Sequence, residues 1–224
     1  MRHRMATSLL YGAAVYHALG EEALAIVWGM IEICVVGSSG TWTILAVGDS
    51  LTAGGFGSVP YGAFLSEILG VKVEITGIWG EQTRSMLQRL QSGHPAWFPD
   101  PPRVVLVLGG TNDLRSVPLE VTVANLKAMH ELAAQTSLVG VLALPKFLNP
   151  QVGSHQKRES LNLRLAELVE SYSFPSFFVN LSAVPSSYLY DGLHFTSEGY
   201  LEFARLVATE LTRLLPWPPA RVDG

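Results

Sequence analysis

Aliphatic runs without polar alternation, each closing on a glycine or a turn, constrain this chain more than any other feature. Val104 to Leu108 is wholly aliphatic and stops at Gly109-Gly110, and Trp42 to Val47 ends at Gly48. Leu138 to Leu144 and Ser176 to Leu181 supply two more runs, and Val71 to Thr76 leads to Gly77 and Gly80. A strand with one wet face alternates apolar and polar residues. An unbroken aliphatic strand is covered on both faces, as in a parallel sheet.

Helical periodicity fills the gaps. Between Val121 and Ala134 apolar residues recur at Leu126, Met129 and Ala133, and between Gln156 and Tyr172 at Leu161, Leu165, Leu168 and Tyr172. The last helix is the clearest. Thr196 or Ser197 caps it, Glu198 suits its positive end, and Tyr200, Phe203, Ala204, Val207, Leu211 and Leu214 line one face. Pro216, Pro218 and Pro219 then forbid continuation. The alternation predicts a single α/β domain over residues 41–216: a three-layer α/β/α sandwich on a five-stranded parallel sheet with right-handed crossovers. Reactive groups in such sheets gather at the carboxyl ends of the strands. The proline-rich stretch His94 to Pro102 reads as a surface loop, and residues 217–224 as a tail.

A chain of 224 residues that is 48% hydrophobic and 15% charged builds its own core without disulfide staples. Its single cysteine, Cys34, has no internal partner, which leaves the redox compartment open. A net charge of −4 with no basic run argues against nucleic acid and toward a small neutral, sugar-borne or lipid-borne substrate. Nothing in the pattern calls for a membrane partner or specifies an oligomeric state. Residues 1–40 are harder to place. Arg2, His3 and Arg4 precede an apolar stretch from Ala6 to Ala18, as in a secretory signal, yet Glu21, Glu22 and Glu32 interrupt the apolar run. An extra helix or a poorly ordered extension is expected there, with a signal or anchor as the alternative. A cytoplasmic location is favoured unless that segment is a signal.

Four short motifs carry chemistry. Gly48-Asp49-Ser50-Leu51 follows the first strand, where a serine at a sharp strand-to-helix turn exposes its hydroxyl beside helix-start N–H groups. Gly77-Ile78-Trp79-Gly80 follows the second, and a glycine at position 80 lets a backbone N–H approach a ligand closely. Gly110-Thr111-Asn112-Asp113 follows the third, where the Asn112 amide has hydrogen bonds to donate; Asp113 reads as a turn-former. Asp191-Gly192-Leu193-His194 precedes the last helix. There the carboxylate reaches Nδ1 of the ring and leaves Nε2 for Ser50. Taken singly, each has a plainer reading as a cap or turn. His94, His130 and His155 have no metal-site spacing, the glycine-rich turns lack a phosphate-loop ending, and Lys146 reads as a solvated loop residue.

Together, in this order, the motifs resemble the SGNH hydrolase (GDSL-like lipase/esterase) superfamily. Ser50, Gly80, Asn112 and His194 match its four letters, Asp191 matches its Asp-x-x-His, and the resemblance runs from about Thr41 to Leu215. The helix carrying Arg158 and Asn162 looks like the family's fourth helix. Many members carry an asparagine shortly before the second glycine, where this chain has Gly77, Ile78 and Trp79. The resemblance implies a flavodoxin-like sheet and hydrolysis of a small, sugar or lipid acyl ester without a metal or organic cofactor. It implies catalytic roles for Ser50, Asp191 and His194. It further implies an oxyanion hole formed by Ser50, Gly80 and Asn112, and substrate contacts at Asp49, Leu51 and Trp79. Acyl transfer to another alcohol, lysophospholipid cleavage, and a non-catalytic binding role for the same fold are the alternatives.

Overall fold

The computed structural model describes residues 42–55, 57–93 and 101–215. The readings made for residues 1–40, for 94–100 and for the tail lie outside the described residues. The expected runs form strands β1 (Thr43–Gly48), β2 (Lys72–Gly77), β3 (Val104–Leu108), β4 (Leu138–Ala143) and β5 (Ser176–Asn180). They pair in parallel in the order β2-β1-β3-β4-β5.

The absence of alternation has its expected cause. Every residue of β3 is buried, as are Ile44 to Val47 of β1 and Val139 to Ala143 of β4, because helices cover both faces. Each valine, leucine or isoleucine among them contributes roughly 1.5–3 kcal/mol relative to an exposed position. The edge strands β2 and β5 are only partly buried. The helices are α1 (Ser50–Ala53), α2 (Tyr61–Leu69), α3 (Thr83–Gln91), α4 (Leu119–Ala133), α5 (His155–Ser171) and α6 (Ser197–Leu214). Among them α2 packs on α6, α3 on α4, and α4 on α5. Right-handed crossovers put α2 on one face of the sheet, where α6 packs on it, and α3, α4 and α5 on the opposite face. None of the described helices is long and apolar enough to cross a membrane.

Thr196 caps α6, accepting a hydrogen bond from the Gly199 N–H, and Tyr200, Phe203, Ala204, Val207 and Leu211 are buried as the stripe predicts. Phe203 stacks on Tyr61 of α2 with centroids 4.0 Å apart. Leu214 departs from the expectation and is 46% exposed, since the 18-residue α6 outruns the 9-residue α2 it packs on.

The register positions the chemistry. Gly48 at the end of β1 is level with Gly77 of β2 on one side and with Leu108 of β3 on the other. The three loops that carry Ser50, Gly80 and Asn112 therefore leave the sheet side by side.

Candidate active site

Ser50 opens α1 directly after β1 and is 4% exposed. The turn is sharp because Asp49 holds it twice. Its carboxylate Oδ1 accepts from the Leu51 N–H at 3.0 Å, and its carbonyl accepts from Thr52 and Ala53 at 3.1 and 3.0 Å. Gly77 makes room for this turn: a Cβ there would lie 2.3 Å from Ala53 N and 2.6 Å from Asp49 O.

The Asp191–His194 turn is organised by one carboxylate. Asp191 Oδ1 accepts from the backbone N–H groups of Leu193 (2.9 Å) and His194 (2.7 Å), while Oδ2 lies 2.7 Å from His194 Nδ1. A bridge between Leu189 and Phe195 and the Tyr190 N–H to His194 carbonyl bond (3.1 Å) close the loop around it. His194 Nε2 then lies 2.9 Å from Ser50 Oγ, across 144 residues of sequence. Burial pushes the Asp191 carboxyl up, but the His194 ring and the His194 and Leu193 N–H groups outweigh it and hold it below its ordinary value. An ionised carboxylate only accepts, so in the neutral ring Nδ1 carries the proton and Nε2 accepts from the Ser50 hydroxyl. A hydroxyl bonded to an oriented imidazole is the arrangement that general-base activation of serine requires.

Asn112 sits in a 3-10 turn after β3. Its Nδ2 donates to the Glu81 carbonyl at 2.9 Å and to Asp49 Oδ2 at 3.3 Å, which fixes the amide beside the serine turn. Gly80 adopts φ +72° in the loop after β2, a conformation that an L side chain strains. That loop is braced by a bidentate pair from Arg89 to Glu81, at 3.2 and 2.7 Å. Trp79 stacks on the His194 ring at 5.1 Å, and Tyr190 stacks with the same ring at 6.2 Å.

A model of the GDSL-like lipase/acylhydrolase family matches residues 46–201. The chain belongs to this family. Three similar solved structures agree in fold. A lipase/acylhydrolase from Enterococcus faecalis is 21% identical with a TM-score of 0.67, covering 80% of this chain and 100% of that one. The native M. smegmatis aryl esterase is 21% identical with a TM-score of 0.66, covering 78% and 100%. A carbohydrate acetylesterase family member from Sinorhizobium meliloti is 16% identical with a TM-score of 0.67, covering 78% and 99%. No curated protein matches.

Within this GDSL-like domain three expectations change. Asp49 and Leu51, read as substrate contacts, are both fully buried, so their side chains present no surface to a ligand. Asp113 does not form a local turn with its side chain. It reaches across to α3, accepting from Thr83 N (3.0 Å) and Thr83 Oγ1 (2.6 Å), and so ties the Asn112 loop to the loop after Gly80. His130 is buried against the Tyr172 hydroxyl at 2.8 Å and His155 stacks on Phe147, while Lys146 is exposed as expected. Among the described residues no cluster suited to a metal ion occurs. Sequence reading missed the brace from Arg89 to Glu81 and the flanking Tyr190; neither type nor spacing marks either one. It named Arg158 and Asn162 without their contacts. Asn162 bonds both N–H and C=O of Leu144 at 2.8 and 2.9 Å, and Arg158 bonds Ser182 at 2.9 Å.

Burial raises the Asp49 carboxyl to about 7, opposed by the Leu51 N–H and the Thr111 hydroxyl. An acid whose folded value is raised stabilises the fold below its unfolded value, and that stability is lost as pH rises to the folded one. Between pH 4 and 7 the wild type should therefore lose up to about 4 kcal/mol that Asp49→Asn does not lose. The asparagine turns its amide toward Asn112, a penalty that does not vary with pH. The test is the pH trend of the difference between the two proteins in denaturant titrations. A difference constant from pH 4 to 8 would show that Asp49 stays ionised.

Proposed function

We propose that this chain is a serine esterase that hydrolyses the carboxylic ester of a small alcohol, sugar or lipid through an acyl-enzyme. The observation that carries the reading is the continuous path from Ser50 Oγ through the His194 ring to Asp191, at 2.9 and 2.7 Å. In the first step Ser50 Oγ attacks the ester carbonyl as its proton passes to His194 Nε2, and Asp191 stabilises the imidazolium. The carbonyl oxygen becomes an oxyanion held by the N–H groups of Ser50 and Gly80 and by the Asn112 amide, which exchanges its long 3.3 Å bond to Asp49 for the oxyanion and keeps its bond to the Glu81 carbonyl. The imidazolium protonates the alcohol as the carbon–oxygen bond breaks. Water then adds to the acyl-enzyme, giving its proton to Nε2, and Ser50 leaves with that proton restored. The family and the aryl and carbohydrate acetyl esterases among its structural neighbours support ester chemistry.

The test is turnover of p-nitrophenyl acetate, butyrate and octanoate by the purified protein, with peptide mass spectrometry after exposure to a fluorophosphonate. Hydrolysis and a single adduct on Ser50 are expected, because an activated serine displaces fluoride from phosphorus. Turnover with the adduct elsewhere would overturn the assignment, as would a folded protein inert to every ester and to the fluorophosphonate.

A further inference from the structure

Beside Asn112 and Leu193 lies a pocket of about 310 Å³ whose remaining wall includes Arg115, Asn149 and Gln151. Its position is fixed to the Ser50–His194 pair from two directions. Arg115 follows Asn112 by three residues, with the intervening backbone pinned by the Leu114 N–H to Thr111 carbonyl bond at 3.3 Å. On the other side the Gly192 carbonyl, two residues before His194, accepts from Leu148 (2.6 Å) and Asn149 (3.0 Å). The loop after β4 is thereby clamped to the histidine turn.

The formal charge of this wall is of one sign. No residue lining it is acidic. The Arg115 guanidinium makes no hydrogen bond or ion pair among the described residues, although the chain carries net charge −4. Nearby carboxylates are committed elsewhere: Asp113 to Thr83, Glu81 to Arg89, and Asp191 to His194. Asn149 spends its Oδ1 on the Gln151 N–H at 2.9 Å, which leaves its amide hydrogens as the unspent part of that side chain. A guanidinium has donors and no acceptor. Thr111, Asn112 and Gln151 add uncharged polar atoms of both kinds, and a carboxylate or phosphate is the ligand group that matches the guanidinium in charge and in asking only for donors.

We propose that this pocket receives an anionic group, a carboxylate or phosphate, carried by the ester substrate, with Arg115 as the residue that selects for it. The inference rests on the esterase reading and narrows it to acidic esters.

Two matched pairs of substrates test it, with the anion on either side of the scissile bond. One pair is 4-acetoxybenzoate and its methyl ester; the other is the 4-methylumbelliferyl monoester of adipate and 4-methylumbelliferyl hexanoate. In at least one pair the wild type should favour the anionic member. Arg115→Gln should then lower kcat/KM for that member about tenfold, mainly through KM, and change the neutral one less than twofold. Arg115→Lys should recover part of the loss, and 0.5 M salt should weaken only the anionic substrate, since salt screens exposed charge. Equal losses on both members would make Arg115 a structural residue, and a wild-type preference for the neutral member in both pairs would overturn the proposal. Failure of the esterase reading looks different: the wild type leaves all four esters intact, anionic and neutral alike. Calorimetric titration with 4-acetoxybenzoate and the adipate monoester still decides the inference in that case. Tighter binding of either to wild type than to Arg115→Gln supports it, and equal or absent binding of both refutes it.

Discussion

Replacing Ser50 with alanine should lower kcat for p-nitrophenyl esters by about 10⁵–10⁶-fold while leaving a folded protein, because in the proposed mechanism it removes the atom that forms the acyl bond. No neighbouring group can replace it. His194 Nε2 would face a methyl group, and any water it activates must attack without the geometry that the serine turn provides. The rate left should still exceed the uncatalysed one by about 10³–10⁴, since the oxyanion donors and substrate binding remain. Stability should change little, by less than about 1 kcal/mol. Ser50 occupies the first position of α1, where alanine is a good helix former, and among the described residues its hydroxyl bonds only to His194 while Asp49 holds the turn. Steady-state kinetics with matched thermal unfolding checks both halves. Activity within tenfold of wild type would assign the nucleophile to another residue.

What could be read in the residues, and what could not, follows physical lines. The sheet was legible because β1, β3 and β4 are covered on both faces, and burial that complete leaves an unbroken aliphatic run. The helix α6 was legible because it lies on the core through a long stripe, from Tyr200 to Leu211. Helices α2 and α3 were not. In α2 only Tyr61, Leu65 and Leu69 carry the stripe, and Gly62 interrupts the propensity because a Cβ there would lie 2.7 Å from Ile75. In α3 a mostly polar segment buries only Thr83, Met86 and Leu90. The residues proposed for the site stood out by type and order, because each lies just past a strand end or just before α6, and the register of β1 with β2 and β3 supplies the alignment that spacing alone cannot. Their supports were hidden. The bonds from Asp113 to Thr83 and from Asn112 to Glu81 span 30 and 31 residues, and no local pattern announces a contact of that separation.

Asp191→Asn should keep the geometry of the site and still cost about 10⁴-fold in kcat, because it reverses which ring nitrogen carries the proton. The argument turns on the two oxygens having different partners. Asp191 Oδ1 accepts from two backbone N–H groups, so in the variant the amide oxygen must stay there; the amide nitrogen would otherwise meet two donors. The NH2 group is then left facing His194 Nδ1, a donor where the carboxylate accepted. The ring adjusts by presenting its Nδ1 lone pair and moving the proton to Nε2, where it points at Ser50 Oγ. A histidine in that tautomer cannot accept the serine proton, although every heavy atom is in place. Two measurements separate this from a collapse of the loop. The nitrogen chemical shifts of the His194 ring should report the proton on Nδ1 in wild type and on Nε2 in the variant. The double variant with Ser50→Ala should be no slower than Ser50→Ala alone, since residues that act as one unit lose their contribution together. An Asp191→Asn protein within tenfold of wild type would show that another group orients the imidazole.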